Sequence, residues 1–268
     1  MKSFFCLLVL LMTLTALNSF AEDVPEKNVL SESTDKTADL WEEKNMSLLY
    51  YKPMYALWGN PTAKIQLSFQ FPLVQDFPLR FGYSQFIFWE LQASSKPFLD
   101  ATYNPEFFYR WQLAGNRANA ITLGLFEHNS NGKDGADSRS YDQTYVKGTY
   151  SFDVSRLAFV MSAKLKYIYE LDDENPDLQT YVGPLDLEFQ VLRIFDSFLD
   201  QGEFDVTLKP GGKYANDWDK GGYEMGLKFH LGGIKIVPAF YLQYYHGYAE
   251  TLVNYNEKVD EFRGGIVF

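Results

Sequence analysis

The 268-residue chain has no apolar run of the roughly 18 to 20 residues that a membrane-crossing helix needs, which excludes a helical membrane protein. It has a single cysteine, Cys6, and only three histidines. No glycine-rich phosphate loop, internal repeat or low-complexity tract is visible, so a nucleotide-binding reading has no support. Positive charge is scarce: 24 basic residues face 35 acidic ones, and the net charge of −11 repels nucleic acid while favouring cations, divalent metals included.

The one uninterrupted apolar stretch, Phe4 to Leu14, follows Lys2 and precedes Ser19-Phe20-Ala21, so residues 1–21 read as a secretory signal peptide. Its removal takes Cys6 with it, and the exported chain then forms no disulfide and no thiolate metal site. Residues 22–46 are acidic, rich in Ser and Thr and nearly without large apolar groups, which predicts a mobile arm. Residues 47–268 form the remaining domain.

What the chain does have is aromatic rings, 19 Tyr, 23 Phe and 5 Trp, set in long alternating segments. Ile65, Leu67, Phe69, Phe71 and Leu73 alternate with Lys64, Gln66, Ser68 and Gln70. Residues 157–171 and 223–231 repeat the pattern, which is that of strands with one apolar and one polar face. Twelve such segments can be placed, at 48–58, 62–73, 79–92, 105–114, 119–128, 141–152, 156–171, 179–193, 202–210, 221–231, 234–248 and 259–268. Pro184 and Pro210 interrupt two of them. Their length, their even number and the terminal Phe268 predict an all-β, closed antiparallel barrel crossing a Gram-negative outer membrane, with aromatic girdles at its interfaces. The polar parity of Lys64, Gln66, Lys164 and Glu224 predicts a polar lumen and argues against a soluble carrier with an apolar interior.

Two of the histidines have ordinary uses: His230 has the parity of the lumen, and His246 sits among Tyr244, Tyr245 and Tyr248 at an interface. His128 stands two residues before Ser130, on one face of a strand and about 6.5 to 7 Å away between Cα atoms. If 119–130 and 140–152 form a hairpin, the simplest register pairs His128 with Asp142 and Ser130 with Ser140, placing the Asp142 and His128 Cβ atoms about 5 Å apart. A base between a hydroxyl and a carboxylate suits acyl transfer. Asp142 shares a face with Val146, Tyr150 and Phe152, so the triad is expected on the lipid-facing wall, where polar groups are costly unless they act on lipid. The preceding strand conflicts, since Ile121, Leu123 and Leu125 have the opposite parity to His128, and the conflict predicts a bulge.

The run Glu127-His128-Asn129-Ser130-Asn131-Gly132, followed by Ser138-Arg139-Ser140-Tyr141-Asp142, resembles the outer membrane phospholipase A family, whose pattern is His-x-Ser-Asn-Gly and then Ser-Arg-Ser-Trp-Asn at the same spacing. Gln66-Leu67-Ser68, Tyr83-Ser84-Gln85, Tyr103-Asn104-Pro105-Glu106, Asp173-Glu174-Asn175-Pro176-Asp177 and Gly247-Tyr248-Ala249-Glu250-Thr251-Leu252 extend the likeness over residues 49–268. The resemblance implies a twelve-stranded barrel and a calcium-dependent hydrolase of sn-1 and sn-2 acyl esters, acting on phospholipids and lysophospholipids. Ser130 would be the nucleophile, His128 the base and Gly132 N–H the oxyanion donor, while Asp142 stands where the family most often has asparagine. It further implies a catalytic calcium at a homodimer interface, held by the Lys133 backbone, by Ser138 and by a hydroxyl of the partner, either Ser94 or Ser95, since Lys96 before Pro97 leaves both open. Asp134 and Asp137 flank Gly135, where the family's acidic residue for a second calcium aligns, and Gln85 matches a polar residue of the dimer interface. A barrel without activity, either a pore or a structural protein, is the alternative.

Overall fold

The computed structural model describes residues 49–268 apart from 75–76, 114–118, 196–198 and 232–237. The expected signal peptide (1–21) and acidic arm (22–46) lie outside the described residues. Twelve antiparallel strands close into a barrel in sequence order: β1 (Tyr55–Gly59), β2 (Ala63–Pro72), β3 (Leu79–Trp89), β4 (Phe98–Gln112), β5 (Ala120–Ser130), β6 (Ser140–Val154), β7 (Leu157–Tyr169), β8 (Leu185–Leu192), β9 (Leu199–Gly211), β10 (Asp217–Leu231), β11 (Ala239–Gly247) and β12 (Val259–Val267). Closure pairs β1 with β12, Tyr55 opposite Val267, and leaves no free edge.

The alternating pattern sorts residues as a membrane barrel requires. Leu67, Val146, Leu165, Tyr167 and Phe262 face outward and are exposed, whereas Lys64, Gln66, Glu106, Glu127, Gln143 and Arg263 are buried in the lumen. The lumen is filled by charge pairs: Lys64 Nζ to Glu224 Oε2 at 2.6 Å from β2 to β10, Lys164 Nζ to Glu127 Oε2 at 2.7 Å, Lys166 Nζ to Asp186 Oδ1 at 2.6 Å and Lys147 Nζ to Glu188 Oε2 at 2.6 Å. A polar cavity of about 500 Å³ remains among them, lined by Lys64, Glu127, Lys164 and Glu224.

Some boundaries differ from those the alternation predicts. Where the alternation predicts a strand at 48–58, β1 starts only at Tyr55 and runs to Gly59. Pro53 has no N–H for a ladder, and the segment before it enters the lumen, where the Tyr51 hydroxyl (2.7 Å) and Lys52 Nζ (3.1 Å) both reach Glu106 Oε1. Glu106 is fully buried and accepts from the Tyr145 hydroxyl as well, so the segment supplies donors the carboxylate needs. Strand β4 begins earlier than residue 105, at Phe98, and β8 later than residue 179, after Pro184. Residues Leu178–Thr180 form a short 3-10 turn instead. The longer connections, 131–139, 170–184 and 248–258, share one end of the barrel. There Tyr141, Ile168, Leu178, Leu252 and Tyr255 form a buried apolar cluster. The buried Asp100 carboxylate pins the last loop by accepting from Leu252 N at 2.7 Å and Val253 N at 3.2 Å.

Candidate active site

The bulge expected from parity lies in β5. Gly124 pairs with Tyr145 and Glu127 with Gln143, so Leu125 and Phe126 together oppose Thr144. Up to and into the bulge the outward residues are odd-numbered, Ile121 and Leu125. After it they are even-numbered: Phe126 stacks beside His128, with ring centroids 6.4 Å apart, and Glu127 turns into the lumen. One extra residue therefore re-aims His128 from the lumen to the outer wall.

The register beyond the bulge is His128 opposite Asp142 and Ser130 opposite Ser140. His128 Nδ1 lies 2.6 Å from Asp142 Oδ1, with the imidazole 37% and the carboxylate 13% exposed. A ring held through Nδ1 by a carboxylate leaves Nε2 for a second partner. Ser130 is on the same face two residues on, and its Oγ accepts from Gly132 N–H at 3.2 Å. Gly132 has φ +64°, and a Cβ there would meet the Tyr103 ring at 3.0 Å. Tyr103, opposite Ser130 on β4, thus packs against the loop that follows Ser130, a contact between distant segments that spacing does not reveal. Gly132→Ala would add strain and a close contact at the backbone N–H beside Ser130 Oγ.

Loop 131–139 is organised by the buried Asn131. Its Oδ1 accepts from Arg139 N at 3.0 Å and Lys133 N at 3.3 Å, and its Nδ2 donates to Asp137 O at 2.8 Å. Asp134 caps the 3-10 turn Gly135–Asp137 through Gly135 N at 2.8 Å, and both aspartates are exposed. The Ser138 hydroxyl donates to Asp172 Oδ2 at 2.7 Å. That bond, with the Glu174 N–H, holds the Asp172 carboxyl below its ordinary range. Asp172 joins the site from a loop 34 residues away. Lys133 Nζ reaches Leu99 O at 2.9 Å, and Ser94 and Ser95 are exposed in the β3–β4 turn. Among the described residues no three His, Cys, Asp or Glu side chains gather in a metal-binding cluster. On β3, the lipid-facing Gln85 accepts from the Tyr83 hydroxyl at 3.2 Å, which leaves its amide N–H groups available. Of the other histidines, His246 faces outward and pairs with Asp260 at 3.0 Å.

A family model described as Phospholipase A1 matches residues 30–268. Phospholipase A1 of Klebsiella pneumoniae is 31% identical over 206 residues, covering 72% of this chain and 65% of the relative. Phospholipase A1 of Escherichia coli K12 is 29% identical over 204 residues, with 72% and 64% covered. The matched stretch thus spans a little under two thirds of these relatives' length. Among solved structures, the calcium-bound dimer of the Salmonella typhi outer membrane phospholipase superposes with a TM-score of 0.69 at 23% identity, over 87% of this chain and 96% of that one. The E. coli outer membrane phospholipase A gives 0.67 at the same identity and coverage, and both attest the twelve-stranded outer-membrane barrel. With the family model matching most of its length, the chain belongs to the phospholipase A1 family.

Proposed function

We propose that this protein is an outer-membrane phospholipase that hydrolyses sn-1 and sn-2 acyl esters of glycerophospholipids and lysophospholipids, with Ser130, His128 and Asp142 as its triad and with calcium and dimerisation as its activators. The observation that carries the reading is the 2.6 Å His128–Asp142 pair on the outward wall, beside Ser130 and the Gly132 N–H. Ser130 Oγ attacks the ester carbonyl while its proton passes to His128 Nε2. Asp142 holds the imidazolium through Nδ1, and Gly132 N–H donates to the oxyanion. The tetrahedral intermediate collapses by expelling the glycerol oxygen, which takes the proton from His128. Water activated by the same base then releases the fatty acid. Acyl esters lie within the bilayer, which gives a polar site on the lipid face its use.

The residues near Ser138 fit calcium, a hard cation that takes oxygen ligands in loose geometry. The Ser138 hydroxyl, the Asp172 carboxylate beside it, the Lys133 carbonyl and the exposed Asp134 and Asp137 are all oxygen donors on one loop system. Ser94 or Ser95 of a second subunit would complete the set, and Gln85 would supply amide donors across the interface. A cation held by these residues would supply positive charge to offset the negative charge that develops on the ester oxygen.

Purified protein in detergent, given calcium and a thioester phospholipid analogue, is expected to release thiol. Excess EDTA is expected to lower turnover about 100-fold or more, the size of a lost oxyanion-stabilising group. Position-labelled lipids report sn-1 against sn-2 cleavage. No turnover with calcium, together with ion leakage from liposomes carrying the protein, would establish the non-enzymatic pore instead.

A further inference from the structure

Strand β7 ends at Tyr169, opposite Asp142, and Glu170 takes φ +48° as the chain leaves the sheet. The next outward residue of β6, Ser140, therefore has no β7 residue to pair with. Its backbone is met by a side chain: Asn175 Oδ1 accepts from Ser140 N at 3.1 Å, and Asn175 Nδ2 donates to Ser140 O at 3.1 Å. Asp172 N donates to the same carbonyl at 3.0 Å. A primary amide presents one acceptor and two donors and can imitate a strand neighbour in this way. Asn175 is 0% exposed and is itself fixed, its N–H bonded to Asp172 O at 3.0 Å and its carbonyl to Leu178 N at 3.1 Å. Leu178, also fully buried, anchors this turn in the apolar cluster with Tyr141.

We propose that Asn175 is a positioning residue for the active site, completing the ladder at Ser140 so that the end of β6 holds Asp142 against His128; this rests on the triad reading above. Asp142 lies opposite His128, two residues on from Ser140, so the end of β6 sets where the carboxylate meets the ring. With the amide removed, the Ser140 backbone loses two hydrogen bonds and keeps only that from Asp172 N, and the Asp142–His128 pair loses its fixed geometry. Small misplacements of a catalytic group cost rate rather than substrate affinity.

The test is a double-mutant cycle between Asn175→Ala and Asp142→Ala, with folding checked by heat-modifiable gel mobility and β-type circular dichroism. Asn175→Ala alone is expected to lower kcat about 10- to 100-fold with KM unchanged, and to slow labelling of Ser130 by a fluorophosphonate comparably. In the Asp142→Ala background the same change is expected to cost less than about threefold, because the group it positions is gone. An unchanged kcat, or the same loss in both backgrounds, would overturn the proposal and leave Asn175 a structural residue. If Asn175→Ala does not fold, Asn175→Ser serves: its smaller, neutral hydroxyl cannot bond both Ser140 N and Ser140 O and buries no charge, so a loss of kcat is expected, again confined to the background that retains Asp142. Should Ser130→Ala turn over lipid as fast as the parent, the triad reading itself fails, a result separate from the outcome of the cycle.

Discussion

Ser130→Ala and His128→Ala are each expected to lower kcat by about 10⁴- to 10⁶-fold while leaving a folded barrel, because removing either the nucleophile or its base from such a triad abolishes the same step. The double variant is expected to cost little more than either single change, since the two act as a unit. Asp142→Ala is expected to cost less, about 10²- to 10⁴-fold, as the carboxylate orients the ring and stabilises the imidazolium without touching substrate. Asp142→Asn tests this chain's departure from the asparagine common in the family it resembles. The amide oxygen can still accept from Nδ1–H but stabilises the imidazolium less than a carboxylate, so activity between that of the parent and that of Asp142→Ala is expected. Thiol release from the thioester analogue measures all five variants. Equal turnover by the parent and Ser130→Ala would remove the assignment.

The site depends on the wall that carries it. Outward side chains of β5 and β6 such as Leu125, Val146 and Tyr150 are exposed apolar groups, so His128 and Ser130 stand at the loop end of a lipid-facing surface. On the lumen side of the same strands Glu127 is bonded to Gln143 Nε2 and Lys164 Nζ, both at 2.7 Å. The bulge that turns His128 outward is therefore backed by a buried charge network that satisfies Glu127 inward. The paired lumen also speaks against a wide aqueous pore, since Lys64, Lys164 and Lys166 are each tied to a carboxylate.

Much of this is legible in the sequence because a barrel strand has a period of two and each hairpin fixes its own register. The alternation at Ile65–Leu73 locates β2, and the nine residues between Ser130 and Ser140 bring His128 opposite Asp142. Even the bulge shows itself, as a break in parity between Leu125 and His128. What the pattern cannot show is a contact made by a loop that returns from far along the chain. Asp172 beside Ser138 and Asn175 on Ser140 are side-chain substitutes for a strand that has ended, and no periodicity marks them. The same holds for Tyr51 and Lys52, which alternate as strand residues would and are drawn into the lumen by the buried Glu106.

Arg263→Met is expected to destabilise the barrel by about 3 to 5 kcal/mol, the usual cost of removing one partner from a buried ion pair. Arg263, on β12, is 1% exposed, and its guanidinium grips Glu250 with both terminal nitrogens, at 2.5 and 3.1 Å, while also pairing with Glu261. It donates in addition to Thr62, to Oγ1 at 2.8 Å and to the carbonyl at 3.2 Å. One side chain thus ties β12 to the loop 248–258 and to the β1–β2 turn. Without it, Glu261 loses its cation, and Glu250, itself nearly inaccessible, keeps only Lys64 Nζ at 3.3 Å. The carboxylates left behind, more than the missing contacts, set the cost, so Arg263→Met combined with Glu250→Gln is expected to recover a substantial part of it. Arg263→Lys keeps the charge but not the planar fork and should fall between parent and Arg263→Met. Urea unfolding in detergent micelles, followed by tryptophan fluorescence, measures the series. If Arg263→Met costs less than about 1 kcal/mol, the range of an exposed pair, then this pair contributes no more than a surface salt bridge does.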